Sequence, residues 1–368
     1  MKVVVIGAGV LGASTAYHLV RAGAEVVIID PLREGRATAA GAGIVCPWSS
    51  QVTDPHWYAL SAAGARYYPE LVRMLTEDGE GDLGYRRVGA LNVPADPVEL
   101  DRLEARVRAR VRTAPEAGTV SRLSPDEARA LFPALREGQA ALHIAGAARV
   151  DGRLLAAAMT AAARKHGAVT HAEAASLVVE GGAVRGVRAD GAVIGADQVV
   201  VTAGAWAGGL LEPLGLRLAV QPQRGQIIHL HLPGVDTRNW PVLLPMTSHY
   251  LLAFDDERVV IGATREPGTG FDYRVTAGGM AEVLNAGLAV APGLANATIR
   301  ETRIGFRPMG PDMRPLLGRV PGVGGLVIGN GLGAGGLTIG PYAGVLLAAA
   351  TLGQTPQIDL SPYDPLRG

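Results

Sequence analysis

Cysteine is almost absent. Cys46 stands alone in 368 residues, so no intrachain disulfide can form and no zinc-type Cys/His spacing exists. No metal is expected, and a reducing cytoplasm is the simplest compartment. Net charge is lacking as well: 34 basic residues balance 34 acidic ones, which gives no electrostatic reason to expect nucleic acid or an anionic membrane as partner. No run of ~20 apolar residues occurs, so no membrane span is expected. The Ala-rich stretch Tyr342–Leu352 has only buried-helix length. Met1-Lys2 ahead of an apolar run superficially resembles a signal peptide, but Val3–Ile6 is strand length and runs straight into glycines. Fixed-period repeats and low-complexity linkers are also missing.

What remains is rich in packing material. Hydrophobic residues make up 48% of the chain and charged ones 18%, the balance of a well-packed soluble enzyme. The length suggests two domains. The 50 glycines point to tight turns and close backbone–ligand approaches.

The N-terminus carries the clearest motif. Val3–Ile6 is a β-branched run suited to a buried parallel strand. Gly7-Ala8-Gly9-Val10-Leu11-Gly12 follows, then a helical stretch Ala13–Ala22, then a second strand Glu25–Ile29 ending on Asp30. Gly7 makes the turn, Gly9 lets backbone approach a pyrophosphate, and Gly12 lets helix and strand pack closely. The helix N-terminus offers free N–H groups to phosphates. Asp30 can accept from ribose hydroxyls. This much predicts a dinucleotide and leaves NAD or FAD open. The small-residue stretch Arg36-Ala37-Thr38-Ala39-Ala40-Gly41-Ala42-Gly43-Ile44 favours FAD, because backbone can lie along an extended cofactor there and Thr38 can donate to a phosphate. An NAD enzyme more usually continues with another helix–strand repeat.

Further pieces repeat the theme. Arg153–Gly167 reads as a helix, Ala183–Val187 and Ala192–Ile194 as a hairpin about Asp190-Gly191, and Gln198–Thr202 as a buried strand. That strand runs into Ala203-Gly204-Ala205-Trp206, a second strand–glycine–helix turn facing the same cofactor. Late in the chain, strand Gly325–Ile328 leads into a glycine loop, Gly329–Thr338, and a terminal helix. Such a loop presents N–H groups to an acceptor, as the N1–C2=O edge of a flavin requires. Two inserts separate these pieces. Residues 85–147 include a charged helix at Val98–Val111. Residues 221–303 alternate in period two (Gly225–Leu232, Tyr250–Phe254, Arg258–Ile261) and read as an antiparallel sheet. The expected fold is α/β (α+β overall): a Rossmann-like FAD-binding domain from residues 1–84, 148–220 and 304–368, interleaved with an antiparallel-sheet substrate domain from 85–147 and 221–303.

In their order, these motifs resemble the D-amino acid oxidase-like superfamily of FAD-dependent oxidoreductases, nearest to glycine oxidase and related D-amino acid and sarcosine oxidases. The resemblance spans nearly the whole chain. It rests on Gly7–Gly12 with Asp30, Arg36–Ile44, Val201–Trp206, Pro222–Gln226 with Val260–Thr264, and Gly305–Gly318 with Gly331–Thr338. It implies FAD held by Val10, Leu11, Asp30, Pro31, Ala37, Thr38, Ala42, Gly43 and Ile44, by backbone near Ala174, and by the loop Leu332, Gly333, Ala334, Gly335, Gly336, Leu337 and Thr338. It also implies a substrate carboxylate held by Arg307 and Tyr250. Two departures stand out. Relatives often carry His or Arg at the places of Leu332 and Ala334. There is also no His in Ala37–Ala42 and no Cys after Cys46, so the FAD is expected to be noncovalent.

The implied reaction is oxidative deamination of a small amino acid by hydride transfer to flavin N5. Positioning carries that chemistry, and no general base is demanded. His249 is left out because alternation points it away from Tyr250. Trp48, Trp57 and Tyr58 are candidates to wall the pocket, although core packing accounts for them equally well. Three outcomes stay open: an oxidase, a dehydrogenase of the same fold passing electrons to a quinone or carrier, and a non-catalytic flavin-binding subunit. Which amino acid is used also stays open, as does a homo-oligomeric state.

Overall fold

A computed structural model describes residues 1–367. Strand β1 (Lys2–Ile6), helix α1 (Val10–Arg21) and strand β2 (Glu25–Ile29) form the expected N-terminal unit. Val3, Val4 and Val5 are fully buried, as a central strand covered on both faces requires. The first sheet has six strands in the order Leu316–Arg319, Leu326–Asn330, Gln198–Val201, β1, β2, Val169–His171. All its pairings are parallel except the edge pair Leu316–Arg319 with Leu326–Asn330. Residues from the start, middle and end of the chain therefore share one sheet.

The terminal helix, Gly336–Thr351, packs on α1. Ser14 Oγ donates to Pro341 O at 2.6 Å, and a Cβ on Gly344 would collide with Ser14. The stretch Gly333–Thr351 is long and apolar enough to cross a membrane, but 56% of its most apolar 18-residue window is buried within the protein, which is the environment of a core helix.

The second sheet has eight strands in the order Thr298–Met309, Gln221–His231, Arg258–Gly262, Tyr250–Ala253, Val242–Leu244, Ala90–Asn92, Ala141–Ile144, Val120–Leu123. It draws on both inserts. Where they meet, Val242–Leu244 runs parallel to Ala90–Asn92, so the sheet is not purely antiparallel as the alternation suggests. Thr298–Met309 pairs with Gln221–His231 almost end to end and runs unbroken through the anticipated boundary at 304, which places Arg307 in this sheet. The stretch 221–303 also contains a helix, Ala277–Val290, where sheet was expected. Gly278, Gly279 and Gly287 weaken its intrinsic propensity. Tertiary packing overrides this: Thr276 caps the helix, and Gly287 lies against Ile261, leaving no room for a Cβ.

Candidate active site

A cavity of about 450 Å³ lies between the two sheets. The six-stranded sheet contributes the turn after β1. Gly7 takes φ +104°, which L side chains rarely adopt, and its N–H donates to Ile29 O at 2.8 Å. A Cβ on Gly12 would be driven into Gly7 O and Thr202 Oγ1, so Gly12 serves close packing and does not itself line the cavity. Asp30 is buried at the end of β2. Its Oδ2 accepts from Ala8 N–H at 2.6 Å and its Oδ1 from Leu32 N–H at 2.7 Å. Each oxygen keeps a lone pair for another donor.

Thr38 has a role the sequence reading does not include: its Oγ1 accepts from Val10 N–H at 3.0 Å, which uses one of the amides at the start of α1 and leaves the hydroxyl proton free to donate. Gly9 has no side chain to cap α1. The small-residue stretch and the late glycine loop complete the walls through Arg36, Ala42, Gly43, Ile44, Leu332 and Leu337. Gly7, Gly9, Val10, Leu11, Pro31, Ala37, Ala174, Ala203, Gly204, Trp206, Gly333, Ala334 and Gly336 also line the cavity.

Five expected contacts lie elsewhere, besides Gly12. Gly335 is not on the cavity wall, a Cβ there facing Ile339 and Trp57, and Thr338 donates to Ile44 O at 2.9 Å, locking the terminal helix to the small-residue stretch. Trp48 and Trp57 are core residues, and Tyr58 lies under the Arg110 guanidinium at 4.4 Å, so none of these three walls the cavity. Cys46 is buried, and burial pushes its thiol up to about 11, leaving it a small inert hydrophobe.

The eight-stranded sheet contributes the other lining. Tyr250 opens its strand opposite Gly262, and Arg307 sits opposite Gln223. Arg307 Nη1 donates to Thr264 O at 3.1 Å. Gly225 makes room for it: a Cβ there would lie 2.5 Å from Nη1 and 2.7 Å from Nη2. Burial raises the Tyr250 phenol above its ordinary range, and the Arg307 and Arg265 charges oppose that rise. Tyr250 therefore stays a hydroxyl donor at neutral pH. His249 does not line the cavity; its Nε2 meets Glu282 at 3.3 Å.

Sequence reasoning missed several lining residues, among them Ser248, Arg265, Phe306 and Asn330. Asn330 Nδ2 donates to Gly204 O at 2.9 Å, tying the two glycine turns together. Its setting in Gly329-Asn330-Gly331 was the available signal. Trp206 and Phe306 form one rim with Phe271, which stacks on Trp206 at 5.0 Å.

The lining suits a bound dinucleotide flavin. Asp30 offers acceptors for ribose hydroxyls, the amides at the start of α1 that Thr38 does not take are available to phosphates, and the glycine turn at Gly333–Gly336 offers backbone to a ring edge. These features define a flavin-dependent oxidoreductase. The chain belongs to the FAD dependent oxidoreductase family, whose sequence profile matches residues 2–350. The crystal structure of iminodiacetate oxidase from Chelativorans sp. BNC1 superimposes with a TM-score of 0.97 at 57% identity, covering 100% of both chains. The uncharacterized oxidoreductase YurR of Bacillus subtilis is 51% identical over 98% of each chain. The glycine oxidase of Pseudomonas aeruginosa is 33% identical over 99% of this chain and 98% of its own.

Proposed function

We propose that the chain oxidises the C–N bond of a small amino acid of the glycine, sarcosine or D-amino acid type, with noncovalent FAD and with dioxygen as acceptor. The observation that carries this reading is the placing of Arg307 and Tyr250 together on a cavity whose one acidic lining residue, among the described residues, is Asp30. Arg307 presents a planar fork to a carboxylate, and Tyr250 adds a hydroxyl donor. When bound, the flavin supplies the two-electron acceptor for the hydride leaving the α-carbon. The side chains bind and orient. No His, Lys or Glu lines the cavity among the described residues, so the amine loses its proton to water and not to a protein base. Water then adds to the product C=N bond and releases a keto acid and an amine or ammonia. No Cys or His reaches the lining either, which supports a noncovalent cofactor. The names of the glycine and iminodiacetate relatives support amine oxidation with oxygen over transfer to a carrier.

The test is anaerobic flavin reduction across glycine, sarcosine, iminodiacetate and D- and L-amino acids, repeated in air with peroxide measured. Reduction by a glycine-type or D-amine and stoichiometric peroxide are expected. The Arg307→Ala enzyme should keep its flavin and lose about 100-fold or more in kcat/KM. Full turnover of every substrate by that variant would refute the anchor.

A further inference from the structure

Beside Tyr250 and Arg307 the cavity holds a further cation, Arg265, that the single-carboxylate reading leaves unused. Arg265 lies three residues after Gly262, the strand partner of Tyr250, and lines the cavity with Ser248, Tyr250 and Arg307. Its neighbours in sequence and space are neutralised. Arg224 Nη2 meets Glu266 at 2.5 Å and its Nη1 meets Asp272 at 2.8 Å, while Arg274 pairs with Asp272 at 2.9 Å. Arg265 itself makes no ion pair or hydrogen bond among the described residues, and neither does Arg307 have an acidic partner. Asp30, the one acid on the lining among the described residues, belongs to the nucleotide turn and is engaged with the Ala8 and Leu32 amides and the Arg36 guanidinium. The walls at Leu332 and Ala334 carry no charge. Arg33 and Arg36 also line the cavity, but at the nucleotide turn beside Asp30 and Pro31, where Arg36 lies 3.9 Å from Asp30 Oδ2. At the Tyr250 end, Arg265 and Arg307 face one space with no counter-charge among the described residues.

Arg265 is exposed, but its base is held. Thr264 Oγ1 accepts from Gln226 N–H at 2.9 Å and donates to Glu266 Oε1 at 2.6 Å. The buried Arg224 staples Glu266 and Asp272 together across the loop. The backbone that carries Arg265 is therefore anchored on both sides, which lowers the entropic cost of holding a ligand there.

We propose that Arg265 is a second carboxylate anchor and that the preferred substrate is a dicarboxylic secondary amine of the N-carboxymethyl amino acid type. One carboxylate takes Arg307 and Tyr250, and the other takes Arg265. This rests on the proposed amine oxidation and specifies its substrate. The two guanidiniums match a dianion, whereas a monocarboxylate engages only Arg307 and gains nothing from Arg265. Oxidation removes two electrons and two protons from one CH–NH unit and passes them to dioxygen, giving peroxide. Water cleaves the resulting C=N bond, so iminodiacetate yields glyoxylate and glycine.

Iminodiacetate and sarcosine differ only in carboxymethyl against methyl, which isolates the second anchor. For the wild-type holoenzyme, kcat/KM should favour iminodiacetate. Arg265→Ala should lower it for iminodiacetate by about 10-fold or more and leave sarcosine within about threefold, with Arg265→Lys in between. A readout without turnover is binding of diglycolate, whose central ether oxygen replaces the amine, measured by calorimetry or by the flavin visible spectrum against methoxyacetate. Diglycolate affinity should fall in Arg265→Ala by a similar factor and methoxyacetate affinity should hold. Equal losses for both members of either pair, or no loss for diglycolate, would overturn the proposal. If no amine reduces the flavin, the proposed function falls, while the diglycolate comparison still decides the role of Arg265.

Discussion

Gly225→Ala perturbs the anchor without touching its chemistry. Gly225 lies in a strand opposite Gly305 and takes no left-handed conformation, so alanine suits its backbone. The new Cβ would lie 2.5 Å from Arg307 Nη1, 2.7 Å from Nη2 and 2.8 Å from Cζ. Non-bonded heavy atoms settle near ~3.5 Å, so the guanidinium must retreat by about 1 Å. The obstacle is the far end of a flexible side chain. The stability cost is accordingly small, about 1 kcal/mol including any weakening of the 3.1 Å bond to Thr264 O. Catalysis is less forgiving, since a shift of about 1 Å can cost on the order of 100-fold. The expected result is a fall of about 10–100-fold in kcat/KM for the best amine, with flavin content unchanged and Tm lowered by only about 1–2 °C. Steady-state peroxide production, flavin absorbance and thermal unfolding check the three parts. An unchanged kcat/KM in a stable holoenzyme would refute the claim that the position of Arg307 matters.

Two further outcomes follow from the geometry. Asp30→Ala removes the acceptor of the Ala8 and Leu32 amides together with any ribose contact, and FAD affinity should fall by about 10–100-fold, read from flavin released on dilution or dialysis. His18 is held well below its ordinary range, at about 4, by burial and then by Arg21, and its Nε2 lies 2.8 Å from Tyr67 Oη. A depressed folded pKa gives stability that is full above the unfolded value of about 6.5 and is lost as pH falls toward 4, because the unfolded chain takes up the proton first. The loss should be ~2 kcal/mol, and His18→Gln should flatten the fall in unfolding free energy between pH 7 and 5, measured by urea denaturation.

Legibility in the sequence tracks the range of the interactions involved. The β1–α1–β2 unit was readable because β-branched runs, the glycine turn and the terminal acid are local signals. The charged helix, expected at Val98–Val111, runs Pro97–Val111, with an Asp96 cap. The Ala277–Val290 helix was not readable, since its glycines argue against helix and only packing on Ile261 and Gln226 compensates. The strand through residue 304 was missed for a related reason: its partner, Gln221–His231, lies some 80 residues away, and pairing at that distance leaves no mark on the local pattern.

By itself, then, the sequence determined the dinucleotide turn, the family, the cofactor and the candidacy of Arg307 and Tyr250. Tertiary structure alone decided which side chains meet. Register between Gln221–His231 and Thr298–Met309 puts Gly225 beside Arg307, and the pairing of Tyr250 with Gly262 brings Arg265 into the same cavity. Turn and strand propensities are set by neighbours in the chain, whereas the convergence of charges depends on hydrogen-bonded register between distant strands.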